Sequence, residues 1–597
     1  MAPTQDSART NADTSSSDRT LSNEVLEDPI FDDESIACHM SLLKLGHDRD
    51  SVFDESAYAP IISSSALAQH LILADKEAPK ISQFGLLAGL NDSAQPIKMT
   101  DDSPLITRDR DPRLFFNITH PSSVFICGSQ GSGKSHTLSC ILESCLIPSH
   151  ASKLPNPLTS VVFHYDTFVS DSVGSPCEAA FLSSHPDVEV RVLCSPTNIN
   201  VIRKTYSSLN VMVKPLQLDQ TDLNTKRMMD LMAIGQDDGS VPLYVHTVKR
   251  ILREMRIAQQ ETQGCFDYRS FKDKVMDAGL TPGQMEPLKQ RLDILESFMP
   301  QRQVSQVRGS KKQGHLELQG STWDPVPRSL TIVDLSCPCI SPETACALFN
   351  ICLSLFLEQD MSVGRVFVLD EAHKYMNSSS EARGFTETIL SAVRLQRHLG
   401  VRTIISTQEP TVSTALLNLC SVTIVHRFTS PEWLRTLQKH LAAALVSPFS
   451  PKSSARSPLE NSEDTYSDPG LDSMFDKIVR LRVGEALLFA PSAVVKVSKD
   501  DEGRVGFHWL GSEFLSIKIR ARLTTDGAKY TFVAKNGSGD LGHLIQDARE
   551  SRKRIQVYFN IQNQFPFVVE DDIGDPRHHV QGGLLCAYRH STRRLEV

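Results

Sequence analysis

The chain has 597 residues, 40% of them hydrophobic, and a formal net charge of -9. The length supports a large core in about two to four domains, and the acidic balance excludes a globally basic nucleic-acid coat while allowing a local basic channel. Its 13 cysteines are odd in number and irregularly spaced, which argues against a disulfide framework and suits reduced thiols of the cytosol or nucleus.

The N-terminus opens Met1-Ala2-Pro3-Thr4-Gln5-Asp6, with no basic stretch leading into an apolar one. No signal peptide is expected. No apolar run reaches the roughly 18 residues of a membrane helix, so the expectation is a cytoplasmic or nuclear protein with no membrane partner. Residues 1–80 are rich in Ser, Thr, Asp and Glu. Such a segment buries too little surface to offset its ordering entropy, and a disordered N-terminal segment is expected. Residues 81–500 then alternate strand and helix patterns. Ser123-Val124-Phe125-Ile126-Cys127 is an apolar run. It leads into Gly128-Ser129-Gln130-Gly131-Ser132-Gly133-Lys134-Ser135, after which Thr137–Leu142 begins a helix. Strand, glycine loop and helix in that order form a phosphate-binding loop. Its glycines let the backbone curl and aim N–H groups at phosphate from a helix N-terminus. Lys134 is placed for the β- and γ-phosphates and Ser135 for Mg2+, so ATP with Mg2+ is the expected ligand.

Val161–Tyr165 reads as a strand. Val188–Val192 alternates apolar and charged residues and reads as a half-exposed strand at a sheet edge. From about 200 to 310 the period changes. Val245, Val248, Leu252 and Met255, then Leu288, Leu292, Leu295 and Met299, recur three to four apart. These are amphipathic helices, read as a helical insertion. Arg302, Arg308, Lys311 and Lys312 cluster behind it. Leu330–Asp334, Arg365–Leu369, Thr403–Ser406 and Val422–Val425 are rich in β-branched residues. They suit strands buried on both faces of a parallel sheet joined by right-handed crossovers. Cys337-Pro338-Cys339 lacks zinc spacing.

The strand over Val366–Leu369 ends in Asp370-Glu371. An acidic pair there completes the site: Asp370 holds Mg2+, and Glu371 polarises the attacking water as a general base. Asp370-Glu371-Ala372-His373 also spells the signature of DEAH helicases. Membership is excluded because the sequence has one P-loop core and lacks those proteins' Gln-x-x-Gly-Arg-x-x-Arg motif.

Farther along the chain, Arg394-Leu395-Gln396-Arg397-His398-Leu399-Gly400-Val401 leads into a strand ending in Thr407-Gln408-Glu409-Pro410. This resembles the HerA and FtsK class of P-loop motor ATPases, whose pattern there is approximately Arg-x-Gly-Arg-Lys-Tyr-Gly and then Thr-Gln-x-Pro. Arg394, Arg397, Gly400, Thr407, Gln408 and Pro410 match. Gln396 replaces the family glycine, and His398-Leu399 replaces Lys-Tyr. Leu330–Ser336, Val425-His426-Arg427-Phe428 and Val483–Phe489 also resemble family elements, so the likeness spans about residues 115 to 495. It implies an α/β fold: a RecA-like P-loop NTPase core of the ASCE class, with a mainly parallel sheet. It implies Gln408 as a polar sensor of the γ-phosphate or its water. It implies Arg394 or Arg397 as a transition-state arginine, acting within the subunit or across a ring interface. The implied activity is ATP hydrolysis driving translocation of duplex DNA by a homo-oligomer, most simply a hexamer. A nucleotide-switched scaffold, or a degenerate member with little turnover, is the alternative.

Residues 447–468 form a polar loop with three Ser-Pro pairs, read as a surface insertion. Residues 501–597 read as a C-terminal extension without an assigned role. There Lys518, Arg520 and Arg522 alternate and so share one face. Arg552-Lys553-Arg554 is a further basic cluster, and Val557-Tyr558-Phe559 marks a strand.

Overall fold

A strand buried on both sides needs apolar residues at every position, and its alternate side chains feed two different cores. The computed structural model shows this at the sheet centre. It describes residues 55–73, 80–91, 111–167, 174–232, 243–262, 264–304, 320–441, 469–499, 505–525, 529–534, 554–559 and 567–571. Strand β1 (Ile61–Ser63), helix α1 (Ser64–Leu73), β2 (Phe84–Leu90) and β3 (Arg113–Asn117) precede the loop strand β4 (Ser123–Cys127). Helix α2 (Lys134–Leu146) follows the loop. Next come β5 (Ser152–Lys153), β6 (Thr159–His164), β7 (Glu189–Cys194), α3 (Ile199–Thr205) and β8 (Met212–Pro215).

Five helices then intervene: α4 (Thr225–Met232), α5 (Leu243–Thr262), α6 (Tyr268–Met276), α7 (Pro282–Ser297) and α8 (Gln301–Val304). The chain returns through β9 (Ser329–Asp334), α9 (Pro342–Glu358), β10 (Arg365–Leu369), α10 (Ser380–Arg394), α11 (Gln396–Leu399) and β11 (Val401–Thr407). After α12 (Thr414–Leu419), β12 (Val422–Val425), α13 (Pro431–His440) and α14 (Pro469–Arg480) come β13 (Glu485–Phe489), β14 (Val494–Lys499), β15 (Val505–Trp509) and β16 (Leu515–Ile519). A separate three-stranded sheet contains β17 (Lys529–Ala534), β18 (Arg554–Phe559) and β19 (Phe567–Asp571).

Eight strands run parallel in the order β12-β4-β11-β10-β6-β9-β7-β8. An antiparallel wing, β13-β16-β2-β3-β1, continues from β12. Phe125, Val161, Phe163, Phe367, Leu369 and Ile405 pack into one core with α9 and α10. Their neighbours Val124, Ile126, Val162, Val366, Val368 and Ile404 pack into the other with α2. Each such side chain contributes about 1.5–3 kcal/mol of burial.

Arg365 opens a buried strand, yet it is almost fully enclosed. Its guanidinium donates to the carbonyls of Phe356, Leu357, Gln359 and Leu399, which tie down the C-terminal ends of α9 and α11.

Four expectations are corrected. Disorder does not extend over all of residues 1–80, because Ala57, Ile61, Ile62 and Leu67 are buried and β1 pairs with β3 and β14. The sheet supplies the partners that these short apolar patches lack alone. Nor does the core end at residue 500, since β16 lies between β13 and β2. The helical insertion is narrower than 200–310, because α3 and β8 form an ordinary crossover from β7 and the inserted helices span 225–304. Finally, β7 is not an edge: β8 covers it, and Arg191 is satisfied by Thr331 and Thr322. The 447–468 loop, and Arg308, Lys311, Lys312, Arg552 and Lys553, lie outside the described residues. No helix among the described residues is long and apolar enough to cross a membrane.

Candidate nucleotide site

Parallel register brings three strand ends to one place. Leu369 of β10 is level with Ile405 of β11, and Thr407 is level with Cys127 of β4. Gly128, Gln408 and Asp370-Glu371 therefore emerge together. The loop turns through positive φ at Gly128 (150°), Gly131 (71°) and Gly133 (113°). At Gly128 a Cβ would stand 2.7 Å from His426 Cβ, and at Gly133 3.1 Å from the Gly484 nitrogen, so the packing admits no side chain at the first and crowds one at the second. Ser132 Oγ donates to the Ser129 carbonyl at 2.7 Å, which fixes the curl. Lys134 Nζ donates to the same carbonyl at 3.1 Å and lies 3.9 Å from Glu371 Oε1. Burial lowers the Lys134 pKa, opposed by the Glu371 and Asp370 carboxylates. Gln130, Gly131, Ser135, Asp370, Glu371 and Gln408 line one cavity of about 970 Å3 with Lys134.

Asp370 is buried, and its Oδ2 accepts from His164 Nδ1 at 3.0 Å. Burial raises its pKa, but the His164 hydrogen bond and charge more than reverse this and leave it lowered. Its other oxygen, Oδ1, is buried without a hydrogen-bond partner among the described residues. A buried, unsatisfied carboxylate oxygen costs stability unless a cation or donor meets it. The glycine cradle and this oxygen both fit a phosphate-bound Mg2+, with Ser135 as the second protein oxygen.

Glu371 takes a left-handed conformation (φ 49°). For a residue other than glycine this stores about 1–3 kcal/mol, and such strain clusters at functional sites. Its Oε2 accepts from Gln408 Nε2 at 3.0 Å and lies 3.5 Å from His373 Nε2. Gln408 thus holds the acid as well as facing the cavity. Arg394 and Arg397 are not brought here. Both are exposed and precede the N-terminal end of β11. The site is at the other end of that seven-residue strand, about 20 Å away at ~3.3 Å per residue. Arg397 instead lies over the Tyr58 ring at 5.1 Å. Neither arginine lines the cavity.

Residues near the C-terminal strand also build the site. Glu143 is fully buried on α2 and accepts from Arg520 Nη1 at 2.7 Å, Thr524 Oγ1 at 2.6 Å and the Leu523 nitrogen. Burial pushes its pKa up, but Arg520 and these donors outweigh that and lower it. The bonds hold Arg520 and Arg522 along the cavity wall, which Lys518 also lines. Arg520 and Arg522 are consumed by Glu143 and Glu178, so they are not a solvated basic face. A lone carboxylate in the apolar helix Thr137–Leu146 was the signal that a partner must come from elsewhere.

His426 belongs to the Val425–Phe428 run that resembles a family element, but its partners are distant in the sequence. It is fully buried behind the loop, with Nε2 2.9 Å from Thr137 Oγ1 and Nδ1 3.0 Å from the Glu485 carbonyl. Burial, helped by the Lys134 charge, holds its pKa down to about 4. An unfolded imidazole titrates near 6.5. The stability that the neutral ring supplies is therefore complete above pH 6.5 and is lost as the pH falls towards 4, a cost of about 3 kcal/mol at pH 4. His426→Gln cannot titrate. The loss of unfolding free energy between pH 7.5 and 4, measured with urea, should shrink by about that amount. Equal losses in both proteins would show that the folded ring is protonated.

No family model and no curated protein matches the chain. Among solved structures, it is similar to VirB4 of Thermoanaerobacter pseudethanolicus (12% identity, 73% of this chain and 96% of that one, TM-score 0.35). It is also similar to the plasmid coupling protein TrwB in complex with ADP and Mg2+ (11% identity, 68% and 87%, TM-score 0.38). A third similarity is to the genome packaging NTPase B204 of Sulfolobus turreted icosahedral virus 2 (10% identity, 65% and 96%, TM-score 0.25). Likenesses this distant assign nothing by themselves; the strand order and the loop geometry carry the assignment. Strand β11 lies between the loop strand β4 and the acidic strand β10, and this gives the chain a RecA-like P-loop NTPase core, the fold class of the HerA/FtsK-type ATPases that its motifs resemble.

Proposed function

We propose that the protein binds and hydrolyses ATP with Mg2+ and works as an oligomeric motor, a translocase of duplex DNA in a hexameric ring. The observation that carries hydrolysis is Glu371, held by Gln408 within reach of Lys134 at the loop. Backbone N–H groups of Gly128–Gly133 and the Lys134 ammonium bind the phosphates. Ser135 and Asp370 would hold Mg2+, which when bound would neutralise charge on the phosphate oxygens. Glu371 accepts a proton from water at its carboxylate, and Gln408 keeps that carboxylate oriented. Arg394 and Arg397, exposed at the far end of the sheet, act across a subunit boundary in this reading. The motif run from Arg394 to Gln408 supports a motor role through its resemblance to ring-forming ATPases.

A second reading, a nucleotide-switched scaffold or a member with little turnover, is favoured by a different observation. Arg520 and Arg522 are paired internally, which removes two cations from any surface offered to DNA. ATPase assays on sized oligomer fractions, with and without duplex DNA, separate the two. The motor should sediment as a hexamer with ATP and Mg2+, and duplex DNA should raise its turnover several-fold. A protein that stays monomeric at micromolar concentration with ATP, Mg2+ and duplex DNA present rules out the ring and the translocase, and leaves the nucleotide site standing.

A further inference from the structure

We propose that His164 Nδ1, Cys177 Sγ and Asp370 Oδ2 form a Zn2+ site beside the nucleotide cavity. His164 closes β6 and Asp370 follows β10, its neighbour in the sheet. Cys177 comes from a third segment, at the start of the 3-10 turn Glu178–Ser184. Its backbone nitrogen is fixed by the Tyr206 hydroxyl at 2.9 Å, and that hydroxyl also donates to Asp334 at 2.7 Å. The three side chains thus converge from separately anchored elements.

Their spacing suits a metal. All three ligand atoms lie within 4.8 Å of one another and all three residues are buried. Nδ1 is 3.0 Å from Oδ2, and Sγ is 3.6 Å from Oδ2. Zinc bonds of ~2.0–2.3 Å at tetrahedral angles separate their ligand atoms by about 3.3–3.7 Å, so both separations from Oδ2 are within a few tenths of an ångström of that range, and the imidazole and the sulfur lie within 4.8 Å of each other. One sulfur, one imidazole nitrogen and one carboxylate oxygen favour zinc over hard cations such as Mg2+. His164 and Asp370 also line the nucleotide cavity, which gives an ion a route in and leaves room for a fourth, non-protein ligand.

One consequence rests on the proposed ATPase reading. Zinc on Oδ2 withdraws negative charge from Asp370, the carboxylate that holds Mg2+ through Oδ1, and so inhibits Mg2+-dependent hydrolysis.

The test of the site itself needs no nucleotide. The full chain, in a Cys265→Ser/Cys339→Ser background to remove the two thiols exposed among the described residues, and with Cys38 and Cys586 also changed to Ser, is stripped with a chelator. It is then titrated with Zn2+ against a chromophoric zinc competitor, in excess Mg2+. One tight equivalent is expected, and Cys177→Ala or His164→Asn should weaken it at least tenfold, in the range known for lost metal-site partners. Co2+ in place of Zn2+ should give a near-UV thiolate-to-cobalt band that Cys177→Ala abolishes. That band reads the intact protein directly, so the test stands even where a variant folds poorly. A chain that takes up no tight equivalent and shows no thiolate band overturns the site. So does zinc binding that folded Cys177→Ala retains in full. Inhibition of ATP hydrolysis by zinc, relieved in Cys177→Ala, is a separate arm. A chain that binds zinc but never hydrolyses ATP would reject the ATPase reading and keep the metal site.

Discussion

Glu371→Gln should bind ATP as the unmodified protein does and hydrolyse it roughly 10²-fold more slowly or worse, in line with the contribution of a general base. The substitution keeps the side-chain shape and removes the one group placed to take a proton from water. Gln408 and His373 flank the same carboxylate, so the residue should stay in position and binding should be spared. Equilibrium binding of a fluorescent ATP analogue, alongside single-turnover hydrolysis, separates the two quantities. Normal hydrolysis by the variant would mean that water is activated elsewhere and that the strained backbone at Glu371 serves another purpose.

Lys134→Ala should fail earlier, at the phosphates. Lys134 is the cation of the loop and is only 4% exposed, so its charge acts in a poorly screened environment. Loss of one such preorganised donor typically costs two to three orders of magnitude in turnover, and here nucleotide affinity should fall with it. Stability should change little. The ammonium makes one bond to the Ser129 carbonyl and bears a burial cost that pulls its pKa down, so removing it deletes a bond and relieves that cost together. A variant that still binds and turns over ATP at the original rate would overturn the P-loop assignment. A variant that melts far below the original would show that Lys134 also holds the loop shut. Mixing this variant with Arg394→Ala or Arg397→Ala subunits extends the test to assembly. Activity should return in mixed assemblies if an intact loop meets an intact arginine from another subunit, and should stay absent if the arginine acts within its own subunit.

Much of this protein was legible in its sequence because the physics there is local. A loop that must curl around phosphate needs glycine at Gly128 and Gly133, and a buried parallel strand needs an unbroken apolar run that stops at its acid, as Val366–Asp370 does. Those constraints act between near neighbours, so they leave a pattern in the order of residues. The rest depends on contacts between distant segments. Glu143 and Arg520 are 377 positions apart, His164 and Asp370 are 206 apart, and Thr137 and His426 are 289 apart. Strand order decides which of these meet. It also decides that Ser56–Leu73 is ordered, since β1 is stable only beside β3 and β14, and that Arg394 and Arg397 stand at the far end of the sheet from Gln408. Pairing energy between strands acts across the sheet rather than along the chain, which is why composition marked residues 56–73 as loose and only the assembled sheet shows their partners and the end of the sheet at which Arg394 and Arg397 stand.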